Sequence, residues 1–93
     1  MTQADALERL RSAEAKAVGT NQTAKAIARG RAQVVYIAQD ADRRVVEGVV
    51  TAAKGANLDI VEADSMREIG RACGIGVGAA AAAILKSESE AAY

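Results

Sequence analysis

The chain has 93 residues, of which 51% are apolar and 26% are charged, and its 12 basic residues balance its 12 acidic residues. This length suits a single domain, residues 1 to 93, because it leaves no room for a second core of useful size. The zero net charge and the presence of only two aromatic residues argue against a nucleic-acid binder that relies on bulk electrostatics or on aromatic stacking.

Two amphipathic helices and a strand are predicted in the first half of the chain. Leucine and alanine recur at helical spacing over residues 4 to 16, which predicts the first helix. In the second helix, Thr20 and Asn21 are candidate N-caps and Gly30 is the stop signal. The apolar stripe of this helix consists of Ala24, Ile27 and Ala28. The β-branched run VVYIA, residues 34 to 38, predicts a buried strand.

A further helix and strand begin the second half. Asp40 and Asp42 are candidate residues for the start of the helix, and Gly55 is its stop signal. The apolar face of this helix comprises Val45, Val46, Val49, Val50 and Ala53. The segment LDIVE, residues 58 to 62, predicts the second strand.

The fourth predicted helix opens at a capping box, in which the Ser65 hydroxyl and the Glu68 carboxylate reciprocally satisfy free backbone N–H groups. Its apolar stripe comprises Met66, Ile69, Ala72 and Cys73, and Gly74 ends it. Helices and strands thus alternate with short connections, which predicts an α/β fold whose sheet is covered by helices on both faces. Residues 86 to 93 are expected to form a flexible tail.

The stretch RACGIGVGAAAAAIL, residues 71 to 85, invites several interpretations. A dinucleotide fingerprint is disfavoured because these glycines follow a helix rather than a strand and lack the third fingerprint glycine. The apolar run is also shorter than the roughly 20 residues of a membrane span. Alanine favours helix by intrinsic propensity, but the sheet still needs an interior strand at this point, and small residues would let helices approach it. We therefore predict a strand after the glycines.

The residues that carry catalysis are scarce. The chain has no histidine and a single cysteine, so it offers no evident triad or metal cluster, and we predict neither enzyme activity nor a cofactor. The lone cysteine also indicates a reducing compartment, the cytoplasm. Charge is segregated along the sequence, because residues 9 to 31 hold six basic residues and one acid, while residues 39 to 64 hold six acids and three basic residues. The basic segment is either a solvated face or a binding surface.

Three segments together resemble a known family, namely GTNQTAK (19 to 25), ARGRAQVVYIAQDAD (28 to 42) and IGRACGIGVGAAAAAI (69 to 84). They are similar to the kink-turn RNA-binding superfamily of large-subunit ribosomal proteins seven-Ae and thirty-e, and in particular to its small bacterial members of the YbxF type. The resemblance implies a single-domain, three-layer α/β/α sandwich with a small mixed sheet. It also implies a non-catalytic protein that binds RNA bent sharply beside tandem sheared G·A pairs.

The resemblance further implies two RNA contacts. The G-T-N-x-x-x-K motif would enter the widened groove, where amide side chains can read purine edges. The glycine-rich loop would pack on a base thrown out of the helix. The implied RNA-binding residues are Gly19, Thr20, Asn21, Gln22, Lys25, Arg71, Ile75, Gly76, Val77 and Gly78.

Two alternatives stay open at this point. Ile75 and Val77 could be ordinary core residues, and the protein could be a protein-interaction scaffold of the same fold with weak or lost RNA binding. The preferred interpretation is a monomer that binds a structured kink-turn RNA, in the ribosome or in a regulatory RNA, and does not bind membranes.

Overall fold

The computed structural model describes residues 3–86, which form four helices and four strands. In chain order these are α1 (Gln3–Ser12), β1 (Lys16–Val18), α2 (Thr20–Ala28), β2 (Ala32–Ala38), α3 (Arg43–Gly55), β3 (Asp59–Ala63), α4 (Met66–Ala72) and β4 (Ala81–Leu85). Within residues 3–86, no helix combines the length and the apolar character needed to cross a bilayer.

The strands form one mixed sheet in the order β1-β4-β2-β3. β4 is antiparallel to both of its neighbours, whereas β2 and β3 are parallel. The alanine run is therefore an interior strand, which confirms the prediction. Ala81, Ala82 and Ala83 have no exposed surface, because helices cover both faces of the sheet at this strand. Pairing on two edges outweighs the intrinsic helix propensity of alanine.

Helices lie on both faces of this sheet, so the predicted three-layer α/β/α sandwich is confirmed. On one face, Leu10 of α1 and Ile69 of α4 pack against Tyr36 of the sheet. On the other face, Ile27 of α2 and Val49 of α3 belong to a second core cluster. From Val34 to Ala38 the side chains of β2 alternate between the two clusters, as the period of a strand requires, and the register shift between Ala32 and Val34 interrupts this pattern.

The N-terminal part of the chain departs from the prediction. The first helix ends at Ser12 rather than residue 16, and residues 16–18 form β1, which the sequence analysis missed. β1 exists because its three residues pair with β4, Lys16 opposite Ile84 and Val18 opposite Ala82. A strand this short has no periodicity that could reveal it, so only the pairing partner determines it.

The start of α2 also differs from the prediction. Gly19 is the N-cap, so Thr20 and Asn21 lie inside the helix and neither is the cap. The predicted stripe is wrong in part, because Ala28 is exposed and the buried residues of α2 are Thr23, Ala26 and Ile27.

The remaining elements follow the prediction with smaller corrections. Val45 lies off the buried face of α3 and is 51% exposed. The Ser65 hydroxyl accepts a hydrogen bond from the Glu68 N–H at 3.1 Å, which is one half of the predicted capping box, while Oε2 of Glu68 is buried without a hydrogen-bond partner. Lys86, expected in the tail, donates its N–H to the Arg31 carbonyl at 2.8 Å. The rest of the expected tail, residues 87–93, lies outside the described residues.

One buried side-chain hydrogen bond ties α1 to the sheet. The hydroxyl of Tyr36, a fully buried residue of β2, donates to the carbonyl oxygen of Ala6 at 2.6 Å. Burial raises the pKa of the Tyr36 phenol above its ordinary value of 10.0, against an opposing effect of the Arg9 charge. The folded state therefore favours the protonated phenol.

We expect Tyr36→Phe to lower the free energy of unfolding by about 1 kcal/mol at neutral pH, because it removes this hydrogen bond. The contribution of the phenol is complete below its ordinary pKa of 10.0 and is lost as the pH rises through the higher folded value. The stability difference between wild type and variant should therefore narrow in strong alkali. Denaturant titrations of both proteins at several pH values measure this difference. A difference that is independent of pH would contradict the expectation.

Candidate functional site

Two segments that the sequence singles out meet at one end of the sheet. β1 leads into Gly19 and α2, while residues 74–80 lead into β4. Because β1 and β4 are antiparallel, the end of β1 lies beside the start of β4, and the Gly19 N–H donates to the Ala81 carbonyl oxygen at 2.8 Å. The start of α2 and residues 74–80, here called the glycine-rich loop, are thus neighbours. We call this side of the molecule the motif end.

The start of α2 presents polar side chains to solvent. Gly19 adopts a φ of 94°, a conformation that favours glycine, and it caps the helix without any side-chain hydrogen bond. Thr20 is half-buried, whereas Asn21 and Gln22 in the first turn and Lys25 one turn later are exposed. Two amides and one ammonium group are therefore available on adjacent turns of a single helix.

The glycine-rich loop presents apolar side chains to solvent. Val77 is 72% exposed and Ile75 is 37% exposed, so Val77 is not a core residue and Ile75 is at most partly covered. Met66 at the start of α4 is 36% exposed, although the sequence analysis placed it on a core stripe. It lies against Gly78, since a Cβ added to that glycine would come within 3.1 Å of the Met66 Cβ. Met66 is thus an apolar residue of the motif end that sequence reasoning missed.

The glycines of the loop have different roles. Gly74 needs its conformational freedom, because its φ is 75°. Gly78 is constrained by the close contact with Met66. Gly76 has neither a positive φ nor a neighbour within 4 Å of an added Cβ, so neither the turn nor the packing requires a glycine at this position.

The loop backbone is anchored to α4. The Ile75 N–H donates to the Gly70 carbonyl at 3.0 Å, and the Ala79 N–H donates to the Met66 carbonyl at 3.0 Å. Gly70 is buried, and a Cβ added there would overlap the carbonyl oxygen of Val77. The absence of a side chain at this helix position lets the loop lie directly on α4. The apolar side chains of the loop consequently stand on a fixed backbone.

Two aspartates after β2 help to shape the motif end. Oδ1 of Asp40 accepts the Met66 N–H at 2.8 Å, so Asp40 satisfies the first N–H of α4, whose N-cap is Ser65, rather than starting the next helix in sequence. Asp42 is the N-cap of α3 and accepts the Arg44 N–H at 2.8 Å. Hydrogen bonds from Arg44 lower the pKa of Asp42 below its ordinary value.

The other predicted site residue, Arg71, is exposed on the last turn of α4, and its carbonyl accepts the Gly74 N–H at 3.1 Å. Within residues 3–86, no group of three or more histidine, cysteine, aspartate or glutamate residues is placed to hold a metal ion. The motif end places hydrogen-bonding amides beside an exposed apolar loop.

Comparisons with known proteins agree with this architecture. The model of the ribosomal protein L7Ae/L30e/S12e/Gadd45 family matches residues 2–92. An RNA-binding protein of Geobacillus sp. (strain WCH70) is 44% identical over 79 residues, which are 85% of this chain and 96% of that protein. The RNA-binding protein YbxF of Geobacillus stearothermophilus is 48% identical over 69 residues, which are 74% of this chain and 84% of that protein.

A solved structure is also similar. The 15.5 kD RNA-binding protein of Giardia lamblia superposes with a TM-score of 0.77 at 31% sequence identity, and the match covers 89% of this chain and 70% of that one.

We expect Gly70→Ala to lower the free energy of unfolding by about 1 to 3 kcal/mol, because the new methyl group must displace the Val77 carbonyl from α4. Gly48→Ala is the matched control in the interior of α3, where an added Cβ meets nothing within 4 Å. The control should raise stability by about 0.5 to 1 kcal/mol, because alanine is the better helix former. Denaturant titrations measure both values. Equal stabilisation by both substitutions would show that the loop does not lie on α4.

Proposed function

The chain belongs to the ribosomal protein L7Ae/L30e/S12e/Gadd45 family, and on that premise we propose that it is an RNA-binding protein that recognises and stabilises kink-turns. In a kink-turn, tandem sheared G·A pairs open the groove beside a nucleotide that is thrown out of the helix. We propose a non-catalytic role in the cytoplasm, in which a monomer binds a structured RNA of the ribosome or a regulatory RNA.

The observation that carries the proposal is the juxtaposition at the motif end. The hydrogen bond between Gly19 and Ala81 holds the exposed amides at the start of α2 next to the exposed apolar loop. A kink-turn offers the matching chemistry, because opened G·A pairs expose base edges close to an unstacked base. Sequence-specific recognition of RNA depends on such splayed bases rather than on the narrow groove of a duplex.

In this proposal the amides read the base edges and Lys25 contacts phosphate. A carboxamide both donates and accepts hydrogen bonds, so Asn21 and Gln22 can each pair with a purine edge in two places. Gly19, which has no side chain, allows the backbone to approach the RNA closely. Thr20 lies between Gly19 and Asn21 in the chain. Lys25 is exposed on the same helix one turn later, where an ammonium group can meet the backbone phosphates.

The glycine-rich loop then supports the extruded nucleotide. Ile75 and Val77 offer exposed apolar surface that covers the face of a base, and Met66 extends this surface from the start of α4. Gly76 and Gly78 keep the loop thin, and Arg71 at the end of α4 is exposed for contact with a neighbouring phosphate. Burial of these side chains in the complex stabilises it through the hydrophobic effect.

We expect Asn21→Ala to reduce affinity for a kink-turn RNA by roughly tenfold or more and to leave affinity for a plain duplex unchanged. A bidentate contact between an amide and a base edge is worth about 1 to 3 kcal/mol of discrimination. Lys25→Ala should instead weaken binding to both RNAs and reduce the salt dependence of binding by about one counterion. Titrations of both variants against both RNAs at several salt concentrations measure these effects.

Unfolding does not obscure this test, because Asn21 lies inside α2 and is not its N-cap. The melting temperature of Asn21→Ala should therefore match that of the wild type. Equal losses of affinity for the kink-turn and the duplex would show that Asn21 does not read the RNA. A wild-type protein with no preference for the kink-turn would contradict the proposed function and favour a protein-interaction scaffold.

We expect Val77→Ala to weaken kink-turn binding several-fold while changing the free energy of unfolding by less than about 0.5 kcal/mol, because the side chain is exposed in the free protein. Ile75→Ala should act in the same direction with a larger effect on stability, since its side chain is partly covered. The control is a kink-turn RNA that lacks the extruded nucleotide. Wild type and Val77→Ala should bind this RNA with equal affinity. If the loss of affinity persists with that RNA, Val77 does not cover the base.

A further inference from the structure

Three basic residues lie together at the end of the sheet opposite the motif end. β1 and β2 are both antiparallel to β4, so the start of each lies beside the end of β4. Lys16 begins β1, Arg31 directly precedes β2, and Lys86 directly follows β4. The Lys86 N–H donates to the Arg31 carbonyl at 2.8 Å, which holds these two residues side by side. We call this side of the molecule the basic end.

Two adjoining surface grooves surround this end. The first, with a volume of about 380 Å³, is lined by the basic residues Lys16, Lys25, Arg29 and Arg31. The second, of about 610 Å³, is lined by Arg9, Arg31 and Lys86 together with the single acid Glu14. Arg31 and Leu85 line both grooves, so the two adjoin at this end of the sheet, and we call them together the basic channel. Half of the 12 basic residues of the chain line it, against one carboxylate.

The basic channel is continuous with the surface proposed to bind the kink-turn. Gln22 and Lys25, which belong to that surface, also line the first groove. α2 runs from the motif end to the basic end, and its exposed residues Asn21 and Lys25 share one face with its exposed C-cap Arg29 at a spacing of four. With a rise of about 1.5 Å per residue, this face spans roughly 12 Å from Asn21 to Arg29. Positive charge thus extends from the base-reading amides to Arg31 without interruption by an acid lining the first groove.

We infer that the basic channel, and in particular Arg9, Arg31 and Lys86, binds the sugar-phosphate backbone of the helical stem that leads away from the kink-turn. The inference rests on the proposed function, because the kink-turn at the motif end places the stem. A regular stem presents a dense row of phosphates, and a channel with six cations and one carboxylate complements this charge. These contacts add affinity but no sequence specificity, since they reach no base edge.

The basic surface extends beyond α2, so an RNA stem bound there would contact several elements of the fold and not this helix alone. Arg9 comes from α1, Arg31 from the turn before β2 and Lys86 from the end of β4, and the sheet brings the three together. Arg9 and Arg31 are exposed and Lys86 is half-buried, so the side chains are accessible to a ligand as large as an RNA helix. The hydrogen bond between Lys86 and Arg31 involves only backbone atoms, so substitutions of either side chain preserve the channel.

The test compares RNAs that share one kink-turn and differ in stem length. One RNA has both stems cut to the minimum that keeps the kink, and two others extend one stem each. The double variant Arg31→Gln/Lys86→Gln should bind one of the extended RNAs roughly tenfold more weakly than the wild type does. The salt dependence of that affinity should fall by about two counterions, one for each lost phosphate contact. Binding to the minimal RNA should change less than twofold.

The matched charge control is Lys54→Gln on α3, compared with the single variant Lys86→Gln. Lys54 is exposed and lines a different cavity next to β3, on the other edge of the sheet. Both single variants remove one lysine charge, but only Lys86→Gln should reduce affinity for the extended RNA. At physiological salt the screening length is about 8 Å, so the distant Lys54 charge should contribute little.

The outcomes separate the two proposals. The inference about the basic channel would be overturned if Lys86→Gln and Lys54→Gln changed affinity for the extended RNA equally, or if a variant lost as much affinity for the minimal RNA as for the extended one. The proposed function would still stand in that case, provided that the wild type preferred the kink-turn to a duplex. A wild-type protein that binds the minimal kink-turn no better than a duplex would overturn the proposed function and this inference with it.

Discussion

Strand β4 is hydrogen-bonded along both edges and covered on both faces, and the arrangement of the other elements depends on this position. Its first three residues are alanines with no exposed surface, which leaves space for helices to pack from both sides. Because β4 is antiparallel to both β1 and β2, it also determines which segments meet at each end of the sheet. The start of α2 and the glycine-rich loop meet at one end, and basic residues from three strand termini meet at the other.

The motif end combines exposed side chains with a backbone that is closely packed. The loop exposes Val77, yet its carbonyl lies directly over the buried Gly70, and Met66 accepts a backbone hydrogen bond from Ala79. Asp40 in turn holds Met66 from the end of β2. A surface that is ordered before binding loses less conformational entropy on association, so an apolar loop with few contacts of its own can still support a ligand.

The net charge is zero, but basic and acidic residues are concentrated in different parts of the fold. The basic segment of residues 9 to 31 contains β1 and α2, whereas the acidic segment of residues 39 to 64 contains α3 and β3. β1 and β3 are the two outer strands of the sheet, so β1 with α2 and β3 with α3 lie towards opposite edges, whereas α1, whose end belongs to the basic segment, contacts β3. A ligand such as RNA would therefore meet a basic surface on one edge and be repelled by the other, which favours one binding orientation.

The sequence by itself determined the four helices and the strands β2 and β3, because their periodicity, stop signals and β-branched runs are local properties. Strand β4 followed from the expected fold instead, because an alanine run favours helix by its intrinsic propensity. Its ordered motifs also identified the family and the candidate site. The tertiary structure decided what depends on contacts between distant segments: the strand β1, the exposure of Val77 and Met66, and the hydrogen bond from the Met66 N–H to Asp40. The basic end also depends on the tertiary structure, because Arg9, Arg31 and Lys86 come together only through the order of the strands and the packing of α1. A local pattern cannot encode such contacts, since each residue's environment is set by segments far from it in the chain.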